Sequence, residues 1–401
     1  MAARATWLSL AVAGAMLPSL VQAETYFEVS GKVAAEVRYF TEEAAYSDQS
    51  DGGNLSALAE PQFLWEWSDG DDRITFVPFA RVDQWDDERT HADIRELNWL
   101  HVGEEYELRV GLGKVFWGVT EFQHLVDTIN QTDGVEDIDG EDKLGQPMIS
   151  VSSVRDWGIV DLFVLPGFRE RTFASEEGRP GFPIRVDTDK ARYQSDDEDR
   201  HIDLAARWSN SFDVYDVGVH VFRGTNRDPQ LQTELRSGQP VLVPYYTLMT
   251  QVGVDLQATI DSWLWKFESR YRNVDPDDFT AAQFGFEYTL YGLFDSATDL
   301  GLLTEYGWDE RGTDATDVGQ NDLYLGGRIT LNDEADSQLL AGISRDLDYD
   351  STSVLVEASR RFGSNWKVSL DGRFFSADDQ RDTAYAIRKD DHIQLTGEYY
   401  F

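Results

Sequence analysis

The chain of 401 residues contains no cysteine. That excludes a disulfide framework, so the fold rests on packing and backbone hydrogen bonding. Basic residues are the scarce charge: 35 against 74 acidic ones, for a net charge of −39. So acidic a chain repels nucleic acid and other polyanions at long range, which removes nucleic acid from its partners. Past the leader-like N-terminus there is no apolar run of the roughly 20 residues that a spanning helix needs. Catalytic motifs are missing as well. His91, His101, His124, His201, His220 and His392 are scattered, and none sits in a His-Glu-x-x-His metal pair. There is no Gly-x-Ser-x-Gly nucleophile elbow and no phosphate-cradling loop. The reading is therefore of a non-enzyme, with no catalytic residue, no resident cofactor and no metal site.

What is present begins with a secretory leader. Arg4 supplies the positive region, Trp7 to Met16 a short apolar stretch, Pro18 a break, and Val21-Gln22-Ala23 a small-residue cleavage site. Residues 1–23 read as a signal peptide, with the mature chain starting at Glu24. An exported chain without a helical span can cross a bilayer only as a closed barrel, because every backbone polar group must be paired there.

The other end of the chain agrees. Ile393, Leu395, Gly397, Tyr399 and Phe401 alternate with His392, Gln394, Thr396, Glu398 and Tyr400. A strand with this period has one apolar face and one wet face. A terminal Phe on the apolar face resembles the closing strand of Gram-negative outer-membrane β-barrels. The resemblance implies that barrel-insertion machinery reads this strand, and that outer-membrane lipid and lipopolysaccharide surround the mature protein.

Strand-like segments recur along the rest of the chain, with no linker and no second domain. Trp263, Trp265, Phe267, Ser269 and Tyr271 alternate with Leu264, Lys266, Glu268, Arg270 and Arg272. Similar alternation marks 282–290, 323–331 and 366–374, while 73–83 and 90–102 face either way. Connector lengths sort by parity. Even-numbered connectors are short turns, and every long segment (41–54, 118–148, 167–200, 224–244, 309–321 and 377–390) is odd-numbered. Short periplasmic turns and long outer loops are the signature of an outer-membrane barrel. Tryptophan marks two belts. Trp65, Trp67, Trp157, Trp208, Trp263, Trp265 and Trp366, with Phe401, fall at expected periplasmic strand ends. Trp85, Trp117 and Trp308 fall at outer ends, and Trp99 near mid-strand. The expected fold over 24–401 is all-β: a transmembrane antiparallel up-and-down β-barrel of about 18 strands, with 16 as the alternative.

The inward faces carry Lys32, Arg38, Arg109, Arg207, Lys266, Arg270, Arg272, Arg328 and Arg373, balanced by acids such as Glu36, Asp255, Glu268, Glu357 and Asp371. Charged lumens are wet lumens, since an unpaired charge in a dry interior costs several kcal/mol. Within 119–148, Thr120 with Gln123 reads as a capping box, and Phe122, Leu125, Val126 and Ile129 follow at helical spacing. A short helix is expected there, in the loop after strand 5. The acidic run Asp133, Glu136, Asp137, Asp139, Glu141 and Asp142 follows it. In position and charge this segment resembles the constriction loop of general porins. The resemblance implies an eyelet in which Asp137, Asp139, Glu141 and Asp142 face Lys266, Arg270, Arg272, Arg328 and Arg373. The same run is no EF-hand, because position one of the pattern falls on Val135. Acidic outer loops of this kind hold divalent cations only loosely.

The expected function is passive, porin-like passage of small polar or charged solutes across the outer membrane. The alternative is a non-conducting barrel serving as an adhesin or structural surface protein. A barrel enzyme acting on lipid would need an outward Ser-His pair, and His220 and His392 fall on inward faces. The sequence names no solute, leaves monomer and trimer open, and leaves 167–200, with seven basic and nine acidic residues, as a lid or an exposed recognition loop.

Overall fold

The computed structural model describes residues 25–316 and 319–401, so the expected leader lies outside the described residues. The strands in chain order are β1 (Tyr26–Phe40), β2 (Gly53–Trp67), β3 (Asp72–Asp83), β4 (Ala92–Val102), β5 (Glu107–Gly113), β6 (Gln146–Arg155) and β7 (Gly158–Pro166). Next come β8 (Arg192–Tyr193), β9 (Ile202–Phe212), β10 (Tyr215–Thr225), β11 (Gln230–Arg236), β12 (Gln239–Tyr246), β13 (Leu248–Ile260) and β14 (Trp263–Val274). The remainder are β15 (Phe279–Leu290), β16 (Asp299–Asp309), β17 (Asn321–Thr330), β18 (Gln338–Asp346), β19 (Thr352–Phe362), β20 (Trp366–Ser376) and β21 (His392–Tyr400). Eighteen of them form a single sheet, each antiparallel to its neighbours, and β8, β11 and β12 form a small separate sheet in the outer loops.

The barrel closes where β1 pairs with β21, in a register running from Lys32 opposite Tyr400 to Phe40 opposite His392. Phe401 extends this seam: its backbone exchanges hydrogen bonds of 3.1 and 3.2 Å with Gly31. Closure leaves no free sheet edge, which is what permits strands to stand in lipid. The alternation sorts as expected. On β10, Val219 and Val221 are 40% and 43% exposed on the outside, whereas His220 and Phe222 are buried inside.

Two expectations about belts need correction. Trp99 is not mid-strand: it lies near the periplasmic end of β4, and its indole donates to Asp72 at the start of β3, 3.0 Å away. Trp117 does not join the outer belt. It is buried inside the barrel, with its ring 5.8 Å from Phe163 and 4.9 Å from His220. The ambiguity over 73–83 and 90–102 has a local cause. The register of β3 against β4 shifts between Val77 and Pro78, so the two halves of β4 present opposite residue parities.

Candidate functional site

The outer loop after β5, residues 114–145, does not project outward. It makes two excursions across the lumen, and its root is an apolar core inside the barrel. Trp117, Val126 and Ile129 pack on Met148 of β6, Phe163 and Leu165 of β7, Ala205 of β9, Phe222 of β10 and Met249 of β13. Val126, Ile129, Leu165 and Phe222 are entirely out of solvent. Burying each such side chain is worth about 1.5–3 kcal/mol, ample to hold a loop against the wall. Farther along, the Phe122 ring stacks on Tyr324 of β17, with centroids 5.1 Å apart. It rests on a floor of glycine. A Cβ at Gly342 of β18 would come within 2.9 Å of the ring.

The expected helix over this stretch is absent. The apolar spacing of Leu125, Val126 and Ile129 reports burial rather than helical winding. The N–H groups that a helix would turn on itself are taken by wall carboxylates. Glu268 of β14 accepts from Val119 N (2.6 Å), Thr120 N (3.0 Å), Thr120 Oγ1 (2.7 Å) and Val126 N (3.2 Å). Glu305 of β16 accepts from Glu121 N at 2.8 Å and Phe122 N at 3.2 Å. Thr120 and Gln123 therefore form no capping box; the single hydroxyl proton of Thr120 is shared between Glu268 and the Gln123 carbonyl, which lies 2.5 Å from Oγ1.

The second excursion reaches the opposite wall with the charges reversed. Arg81 of β3 bridges Glu36 of β1 and Glu136 of the loop, at 2.5 Å each. Arg95 of β4 holds Asp133 of the loop at 2.5 Å. Arg89 contacts Glu36 at 3.0 Å and donates to the Val135 carbonyl at 2.9 Å. His91 lies in the same cluster, with Nε2 3.5 Å from Glu136 and 3.7 Å from Asp133. Its Nδ1 sits 3.1 Å from the Arg89 carbonyl. The side chains of His91, Asp133 and Glu136 have the chemistry of cation ligands and lie within 4.8 Å of one another. Yet Arg81 and Arg95 already occupy both carboxylates, and a metal ion there would face two guanidinium charges.

The sequence-predicted eyelet residues divide. Asp139 meets Arg373 of β20 at 3.0 Å, and Arg373 also holds Glu357 of β19 at 2.9 Å. Glu141 pairs with His124 of the first excursion at 2.8 Å, which ties the two excursions together. Lys266 reaches Glu121 at 3.3 Å, and Arg328 pairs with the same carboxylate. Arg272 instead holds Asp228, in the outer loop after β10, at 2.8 Å, and Arg270 lies over the Phe279 ring. Arg328–Glu121, His124–Glu141 and Asp139–Arg373 thus bound a sector of the lumen against β17–β20.

Within that sector the acids are tuned apart. Burial, then the charge of neighbouring Asp137, pushes Asp139 up to about 7. Burial, then Glu136 and Asp137, pushes Asp142 up to about 6. Burial would also raise Asp137, but Arg38 and Arg373 outweigh it and hold this carboxyl below the usual range. The sequence reading missed Glu268, Glu305 and Glu121 as loop anchors, and also Arg81 and Arg95. The wall carboxylates give no local signal of which distant N–H groups they hold. Arg81 and Arg95 were hidden by the register shift between β3 and β4.

The outer loop 167–201 reaches from the end of β7 to loop 114–145 and on to the seam of β1 and β21. Thr172 donates to Asp133 at 2.5 Å, joining the two loops. Arg179 is wholly buried, with its guanidinium 4.2 Å above the Phe40 ring and 2.9 Å from Asp390. Its backbone carbonyl accepts from Arg38 at 3.3 Å.

A sealed antiparallel barrel, apolar outside and charged within, is an outer-membrane barrel of porin-like fold. Solved structures agree with that class. The chain is similar to a BenF-like porin from Pseudomonas fluorescens Pf-5, with a TM-score of 0.53 and 10% identity over 94% of this chain and 98% of that one. It is also similar to OpdQ of Pseudomonas aeruginosa, with a TM-score of 0.50 and 10% identity over 94% and 98% of the two chains. No family model matches the chain, and no curated protein matches it in sequence.

Proposed function

We propose that the protein is a passive channel for small polar or charged solutes across the outer membrane. One observation carries the reading: the paired charges of loop 114–145 and of β17–β20 surround a lumen sector in which Asp139, Glu141 and Asp142, although enclosed by the barrel wall and the loop, still reach solvent. Fixed charges that line a passage select by field and by size, and transform nothing. The acid excess of the outer loops enriches cations at the mouth. Loop 167–201, fastened to loop 114–145 and to the seam of β1 and β21, is the feature that a closed, adhesin-like barrel would need.

Single-channel recording in planar bilayers separates the two readings. Discrete conductance steps, with a reversal potential in a salt gradient, are expected. A correctly folded barrel that leaves the bilayer silent sinks the channel and leaves the surface-protein reading. Neutralising Asp137, Asp139, Glu141 and Asp142 together should change the ion preference, and unaltered currents would remove this loop from the conduction path.

A further inference from the structure

The lipid-facing row of β10 runs Tyr215, Val217, Val219 and Val221, and then breaks at Arg223, which is exposed on the same face. The other outward arginines at strand ends are engaged: Arg345 with Asp350, Arg155 with Glu105 and Arg360 with Asp333. The Arg223 guanidinium has no hydrogen bond or ion pair with any described residue. Cross-strand pairing sets Thr250 of β13 beside it, and Asn273 of β14 beside Thr250. One step toward the membrane centre, Val221, Val252 and Tyr271 pair in the same way and form an apolar row. Two residues along a strand are about 7 Å. A polar ledge with a free guanidinium therefore stands directly above an acyl-chain surface, at the depth of the outer headgroups.

A cleft of about 340 Å³ opens on this ledge, lined by Gln194, His201, Arg223, Thr250, Asn273 and Asp275 among others. The acids beside it are engaged. Asp275 accepts from Gln194 at 2.6 Å, and Asp278 accepts from Asn273 at 2.6 Å and from Tyr271 at 2.8 Å. We propose that Arg223, with Thr250 and Asn273, binds the phosphate group of an outer-leaflet lipid, whose chains lie along the Val221–Val252–Tyr271 row. A guanidinium fork matches phosphate oxygens two at a time, and at a headgroup boundary such a charge-assisted contact is stronger than in bulk water. Lipid binding at this ledge is independent of conduction through the lumen.

Native mass spectrometry of the detergent-solubilised barrel tests it, with EDTA present so that divalent ions bridge nothing. The probes are bis-phosphorylated lipid A, dephosphorylated lipid A and inorganic phosphate. One lipid A per chain should be retained, and Arg223→Ala should lower its retention about tenfold, the loss of one charge-assisted pair. Dephosphorylated lipid A should bind like the variant. Arg155→Ala, at the periplasmic end, should change nothing. Equal retention of phosphorylated and dephosphorylated lipid, or by Arg223→Ala and the unaltered chain, overturns the site. Saturation by inorganic phosphate at the same concentration overturns the lipid as its ligand. Heat-modifiable migration on gels shows that each variant is a folded barrel.

Discussion

The two excursions of loop 114–145 are fastened to opposite walls by opposite chemistry. At β14 and β16 the wall supplies the acids, Glu268 and Glu305, and the loop supplies backbone N–H groups. At β3 and β4 the wall supplies arginines, and the loop supplies Asp133 and Glu136. The difference is one of information. A wall carboxylate that grips backbone is indifferent to most side chains on the loop, so, apart from Glu121 held by Lys266 and Arg328, that end tolerates change in the loop more than in the wall. A wall arginine that grips a carboxylate needs both partners, and that end is specified residue by residue.

The largest test of this contrast removes the wall acid. Glu268→Ala strands several buried donors at once, and a loss of about 5 kcal/mol is expected, in the upper range for breaking a buried charged contact. Denaturant unfolding in vesicles, followed by tryptophan fluorescence, would read it, and a loss under 1 kcal/mol would show that the loop does not depend on this anchor. At the other wall, Arg81→Ala should cost about 3 kcal/mol, less because Arg89 and Arg95 remain beside the orphaned acids. Here the partner matters. Adding Glu136→Ala should recover part of the loss, whereas strict additivity would break the comparison.

Between the two walls, Tyr324→Leu removes the stack under Phe122, and about 1 kcal/mol should follow in the same unfolding assay. The smallest effect is electrical. Asp139, raised to about 7, and Asp142, raised to about 6, both bind protons as pH falls from 8 to 5. The sector then loses negative charge, so cation preference should fall by roughly twofold over that range. Reversal potentials would follow it. Asp139→Asn should abolish the step near neutrality and leave the more acidic one, and an unchanged profile would place Asp139 away from the ion path.

The strands were legible because their signal is local. The rows of β14 and β21 announce their faces without knowledge of any neighbour. Failures came where a residue's meaning depended on a partner far along the chain. Leu125, Val126 and Ile129 carry a burial pattern that a helix and a wall-clamped loop share, and the helix was the wrong choice of the two. Trp117 stands near a strand end and so resembled a belt residue, but only the apolar patch of Phe163, Leu165 and Phe222 explains its burial. Of the expected eyelet acids, Asp139 meets Arg373 and Glu141 meets His124, whereas Arg270 and Arg272 of their expected partners face other groups.

By itself the sequence determined the barrel. Period-two alternation, connector parity and the terminal strand are properties of short stretches, and sealing such strands in a membrane leaves one architecture. Only the tertiary structure decided how the lumen is filled. Glu268 captures the N–H groups of residues 142 and 148 positions away. Because a carboxylate accepts from any suitably placed donor, nothing in its neighbourhood along the chain could name them until the barrel had curved to bring the two together.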